Sequence, residues 1–139
     1  MSYSTQAAGA SEYRAVAMQH DVSTASPHRL IQLLMERFLT KIALARKIME
    51  SGGVVGKGEA VSHAISIVEC LRASLNHEPN AELSSNFDAL YDYMARRLVE
   101  SNLRNDVALL DEVSGLMGEI KSAWDVIGDQ VDHDSPVGV

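Results

Sequence analysis

Four stretches of this chain carry apolar residues at steps of three and four, and none alternates them in steps of two. That spacing puts the apolar side chains of each stretch on one face of a helix and leaves no pattern for a half-buried strand. The first stretch has the sharpest start. Ser26 can cap the free backbone N–H groups of a first turn, and Pro27 sits where its missing N–H costs nothing. Leu30, Leu34, Phe38, Ile42, Ala45 and Met49 then hold one face, widened by Ile31, Leu39 and Ile48. The helix expected over 27–50 stops where Gly52 and Gly53 arrive, in a glycine-rich linker over 51–58.

A second helix is expected over 59–76, with Val61, Ala64, Ile65, Val68, Leu71 and Leu75 on its stripe. Pro79 ends it, and 76–80 reads as a turn. A third is expected over 81–103, capped by Asn80, with Leu83, Phe87, Leu90, Met94 and Leu98 on one face and Tyr91 beside it. The fourth starts after Asn105, read as its cap, with Asp106 in the first turn. Its Leu110, Val113, Met117, Ile120, Trp124, Ile127 and Val131 form a heptad-like seam. Four such helices with short connections imply an all-α fold, an antiparallel up-down four-helix bundle. A short N-terminal helical segment over 12–20, carrying Tyr13, Val16 and Ala17, is too brief to hold alone and needs a docking site. The 139 residues suit a single domain over 1–139, with 1–12 and 132–139 expected as disordered tails. Aromatic residues make up only 5%, a mix that suits helix packing better than a β-sandwich.

Several function classes are disfavoured. A formal net charge of -7 argues against nucleic acid and against an anionic membrane surface. No segment approaches eighteen uninterrupted apolar residues, so no membrane insertion is expected. Cys70 is the lone cysteine, so an internal disulfide is impossible and a reducing compartment is the natural setting. The first residues lack the basic and apolar blocks of a signal peptide, and a cytoplasmic location is expected.

No enzymatic constellation emerges. Gly56-Lys57 lies in a glycine-rich loop without the spacing or the preceding strand of a phosphate-binding loop. None of the five histidines stands three or four residues from another, and the one acidic neighbour, Glu59 before His63, makes a weak pair. Cys70 lies beside core positions of a helix and reads as a small hydrophobe rather than a nucleophile. The chain is therefore expected not to be an enzyme and to need no metal or cofactor.

Breadth of apolar surface is the better clue. Beyond its stripe the first helix adds Leu33, Met35, Ala43 and Leu44, and the second adds Ile67. A bundle helix needs one apolar face, so the excess goes to a thick core, a self-association surface or a groove for a partner segment. Of the six methionines, most are expected in the core and about a third facing a partner.

The chain resembles the flagellar secretion chaperone family FliS, from Tyr13 to about Trp124. The matching pieces stand in order. They are Tyr13, Val22, Thr24-Ala25-Ser26-Pro27 and Leu30-Ile31, then Lys57-Gly58 with Ile65, Ile67 and Val68. Leu71 and Leu75 follow, then Leu90-Tyr91-Asp92-Tyr93-Met94, Leu98 and Asn102, and a last helix ending in Trp124. Many members have a tyrosine and a glycine after the paired leucines, where Met35-Glu36-Arg37-Phe38 stands here. The resemblance implies an export chaperone that holds the disordered C-terminal segment of flagellin, prevents its premature polymerisation and helps deliver it to the export gate of the flagellar type III system. It implies partner-site candidates at Tyr13, Pro27, Leu30, Ile31, Ile65 and Tyr91. The segment around Tyr13 is expected to cover part of the same groove in the free protein. The competing reading is a non-catalytic adaptor or homodimer, self-associating through the seam of the fourth helix.

Overall fold

The computed structural model describes residues 26–75 and 80–134, the side chains as far as residue 127. Four helices fill these residues: α1 (Pro27–Glu50), α2 (Lys57–Ser74), α3 (Ala81–Arg104) and α4 (Val107–Asp134). There is no strand among the described residues. The segment expected over 12–20, including Tyr13, residues 76–79 of the expected turn, and residues 135–139 lie outside them.

Local chemistry sets the helix ends. Ser26 is extended and its Oγ accepts from Arg29 N at 3.0 Å, with Pro27 at the first helical position. At the other end Ser51 N–H donates to Lys47 O, and Gly52 takes φ +75°, a left-handed conformation that glycine adopts without steric cost. α2 starts at Lys57, two residues before the expected start, because Gly56 turns left-handed at φ +85° and its carbonyl accepts from Ala60 N. Asn80 caps α3 through Oδ1, 3.0 Å from Leu83 N.

The expectation that Asn105 caps the fourth helix is corrected. Asn105 closes α3 instead, left-handed at φ 54°, with its N–H bonded to Ser101 O. Asparagine tolerates that conformation better than most residues. Asp106 takes over the cap, its Oδ1 accepting from Ala108 N at 3.0 Å.

Each helix packs on its neighbours in the chain, and α4 returns against α1, closing a ring of four. Cross-links show the antiparallel sense. Trp124, late in α4, bonds to His28 at the start of α1, whereas Arg46, late in α1, reaches Asp111 early in α4 at 2.6 Å. Arg72, late in α2, pairs with Asp88 of α3 at 3.0 Å. Lys57, at the start of α2, donates to Asn102 O and to Asn105 Oδ1 at the end of α3.

The core is one cluster running through the bundle. It absorbs most of the apolar excess. Leu33 and Met35 are buried, and Ile67, which lies off the simple stripe of α2, is fully enclosed. α2 packs against both α1 and α3, which widens the arc it buries. Ala43 and Leu44 remain exposed. The first half of the α4 seam, Leu110, Val113 and Met117, is buried in this same core. A homodimer through that half of the seam would have to open the bundle.

The two ends of the bundle differ. Where α1 and α3 finish and α2 and α4 begin, the stripe residues are buried; this is the closed end. At the opposite, open end the same stripes come partly into solvent. On α3 exposure rises from 0% at Leu98 and Met94, through a half-buried Phe87, to 43% at Leu83. On α4 it rises from 0% at Met117 to 47% at Ile127.

Candidate functional site

The incomplete closure leaves a cavity of about 440 Å³ at the open end, lined by all four helices. α1 contributes Ile31 and Met35, and α2 contributes Leu71 and Ser74 with its C-cap Leu75. α3 supplies Leu83, Phe87 and Tyr91, and α4 supplies Ile120, Ala123, Trp124 and Ile127. Nearly every wall residue is apolar or aromatic, and the volume falls within the roughly 300–1,000 Å³ range of ligand pockets.

A latch between α1 and α4 fixes one rim. The rings of His28 and Trp124 stack with centroids 4.5 Å apart and planes within 2°. Trp124 Nε1 donates to His28 O at 3.0 Å, and His28 Nε2 lies 2.6 Å from Trp124 O. A carbonyl only accepts, so Nε2 carries the proton in this contact. Next to it, Gln32 and Lys121 both donate to Asp125, and these hydrogen bonds, that from Gln32 foremost, hold its carboxyl below the usual range. Arg72 marks the α2–α3 rim, bonded to Asp88 and paired with Glu69 at 3.4 Å. These ion pairs are half-buried at the surface, and they keep both rims polar around an apolar interior.

Inside, Phe87 and Tyr91 lie with ring centroids 6.1 Å apart. Tyr91 is only 4% exposed, and burial pushes its hydroxyl up to about 12. Tyr91 belongs to the core cluster and lines the cavity as well.

Of the six candidate residues, the structure brings Ile31 and Tyr91 together on this wall. Pro27 is exposed at the first position of α1, and Leu30 is buried one turn on. Ile65 packs half-buried against the core and does not line the cavity. Tyr13 lies outside the described residues. Sequence reasoning missed Leu75, Leu83, Phe87 and Ile127 as wall residues, though each was placed on a stripe. Trp124, the sole tryptophan, reads from the sequence as a seam position and a helix ending, not as a wall residue.

The groups weighed for catalysis are otherwise engaged. Lys57 Nζ is bound to Asn102 O and Asn105 Oδ1. Burial pushes the Cys70 thiol up, away from the reactive thiolate. His63 Nε2 stands 4.0 Å from Glu59, and no group of three metal-ligating side chains occurs among the described residues. No helix among the described residues is long and apolar enough to cross a membrane. The four described methionines, Met35, Met49, Met94 and Met117, are all buried, and Met35 also reaches the cavity wall.

The fold is a helical bundle with an apolar cavity at one end. A model of the flagellar protein FliS family matches residues 9–131. The chain is 49% identical over 116 residues to the flagellar secretion chaperone FliSB of Pseudomonas aeruginosa, covering 84% of this chain and 92% of that protein. It is 44% identical over 119 residues to the flagellar secretion chaperone FliS of Salmonella typhimurium, covering 85% and 88%. Against the Bacillus subtilis FliS, identity is 39% over 106 residues, covering 76% and 78%. The chain belongs to the FliS family, a family of chaperones and not of enzymes.

Proposed function

We propose that this protein is a cytoplasmic export chaperone whose open-end groove holds the C-terminal segment of flagellin. Holding that segment keeps it from premature polymerisation, and the complex is delivered to the flagellar type III export apparatus. The observation that carries this reading is the cavity itself: twelve wall residues from four helices, almost all apolar, left unfilled at one end of a well-packed bundle. An amphipathic helix laid into a groove is the binding mode that such a wall serves. The names of the relatives, flagellar secretion chaperones, support the choice of a secreted flagellar protein as partner. The N-terminal segment enters α1 at Ser26, at this same end, so its Tyr13 region is a candidate cover for the groove in the free protein.

Calorimetric titration with the C-terminal segment of the flagellin from the same organism tests the reading. Saturable binding with a large negative heat-capacity change is expected, because a disordered apolar segment is buried as it orders. A folded bundle that ignores the segment would turn the assignment toward an adaptor. Deleting residues 1–20 is expected to change the affinity, and an unchanged affinity would remove the cover.

A further inference from the structure

Three side chains of the cavity wall can form hydrogen bonds: Ser74, Tyr91 and Trp124. Two are already engaged. Ser74 Oγ donates to Leu71 O at 2.6 Å, and Trp124 Nε1 donates to His28 O at 3.0 Å. The Tyr91 hydroxyl has no hydrogen-bond partner among the described residues, and burial is the one cause acting on its titration. The residue is 4% exposed, and its oxygen is not among the enclosed unpaired atoms, so in the free protein solvent in the cavity reaches it. Packing explains the ring but not the oxygen.

Docking of a segment expels water from the cavity, and the hydroxyl must then find its acceptor on the segment. Charge narrows the choice. The wall holds no cation, and the rim cations are engaged, Arg72 with Asp88 and Glu69, Lys121 with Asp125 and Glu36. A carboxylate would lose its hydration with no counter-ion in return. Backbone narrows it further. An extended chain brings an N–H and a C=O with every residue, whereas the wall offers one free hydroxyl; a helix has already paired its backbone groups internally.

We infer that Tyr91 is a specificity-determining residue of the groove, whose hydroxyl donates to one uncharged side-chain acceptor, an amide or hydroxyl, set among the apolar residues of a helical segment. The inference rests on the chaperone reading above and adds what the groove selects for. A wholly apolar helix would bury the Tyr91 oxygen unpaired, so the groove discriminates against it.

The test is calorimetry of the full-length protein and its Tyr91→Phe variant against the flagellin C-terminal segment, and against segments with each Asn, Gln, Ser or Thr changed singly to Ala. Tyr91→Phe is expected to fold as the parent does, by helical circular dichroism, and to bind the unmodified segment about tenfold more weakly. One alanine change is expected to weaken binding to the parent by a similar factor and to have no effect on the variant. Equal binding by parent and variant overturns the inference and leaves the chaperone reading standing. Absence of binding by both folded proteins overturns the chaperone reading, and this inference falls with it. An unfolded variant also contradicts it, since the hydroxyl is assigned no part in holding the fold.

Discussion

At the closed end Ile42, Ala45 and Met49 of α1, Val61 of α2, Leu98 of α3 and Leu110 of α4 are enclosed in one core cluster. At the open end Ile31, Leu75, Phe87, Ile120 and Trp124 occupy equivalent places on the same four stripes, yet only pack against that cluster from its edge. The residue types and their spacing are alike, and only the degree of closure differs. Exposed apolar residues do occur in the closed half, but Leu44 and Val99 lie off the stripes and Val54, Val55 and Leu103 stand on a turn and at a helix end, and such surface residues are ordinary. The contrast shows how a small bundle divides its work. Apolar burial at one end stabilises the fold, and on the proposed reading the other end keeps its apolar wall for a partner.

Substitutions that act on one end and spare the other would sharpen this division, and any that act equally on both would break it. The largest effect is expected from Leu98→Ala at the closed end. It removes a fully buried side chain and should cost about 2–5 kcal/mol, read as a lowered melting temperature. Affinity for the partner segment, measured well below that temperature, should be unchanged. Next comes the alkaline limb of stability set by Tyr91. Its folded pKa of about 12 lies above the ordinary tyrosine value near 10, because burial disfavours the phenolate. Ionisation of this phenol costs the folded state nothing below pH ~10, and stability falls as pH rises from ~10 towards ~12, an effect on the order of 2 kcal/mol. Denaturant titrations across that range should show a smaller loss in Tyr91→Phe than in the parent, the remainder coming from other groups such as Lys121, whose bond to Asp125 raises its pKa.

Ile127→Ser should invert the Leu98→Ala result. The side chain is 47% exposed, so stability should move by no more than about 0.5 kcal/mol, while calorimetric affinity falls about tenfold. The smallest effect is expected from Trp124→Phe, which keeps an aromatic wall but loses the hydrogen bond to His28 O. A loss of about 1 kcal/mol should appear as faster amide exchange in the first turns of α1, with exchange at the closed end unchanged.

The helices were legible in the sequence because their signals are local. Ser26 and Asn80 cap as their residue types and neighbours suggest. Asn105 misled because asparagine serves equally well as an N-cap and as a left-handed helix ending, and its neighbour Asp106 could take the cap. The early start of α2 depends on the backbone of Gly56, which side-chain periodicity does not report. The groove was legible only in part. Ile31 and Tyr91 entered through the family resemblance. Leu83, Phe87 and Ile127 did not, because their stripe positions are indistinguishable from those of Met94, Leu98 or Met117. Which part of a stripe closes depends on how far the facing helices cover it, a property of the assembled bundle.

The central claim is that the open end is where the partner docks, and the protein carries its own reporter there. Trp124 is the only tryptophan and lies in the cavity wall. The most direct measurement is its fluorescence during titration with a tryptophan-free C-terminal segment of flagellin. The account predicts a saturable change in emission that follows the calorimetric binding curve. Tight binding by calorimetry with the Trp124 emission unaltered would place the partner elsewhere and contradict it.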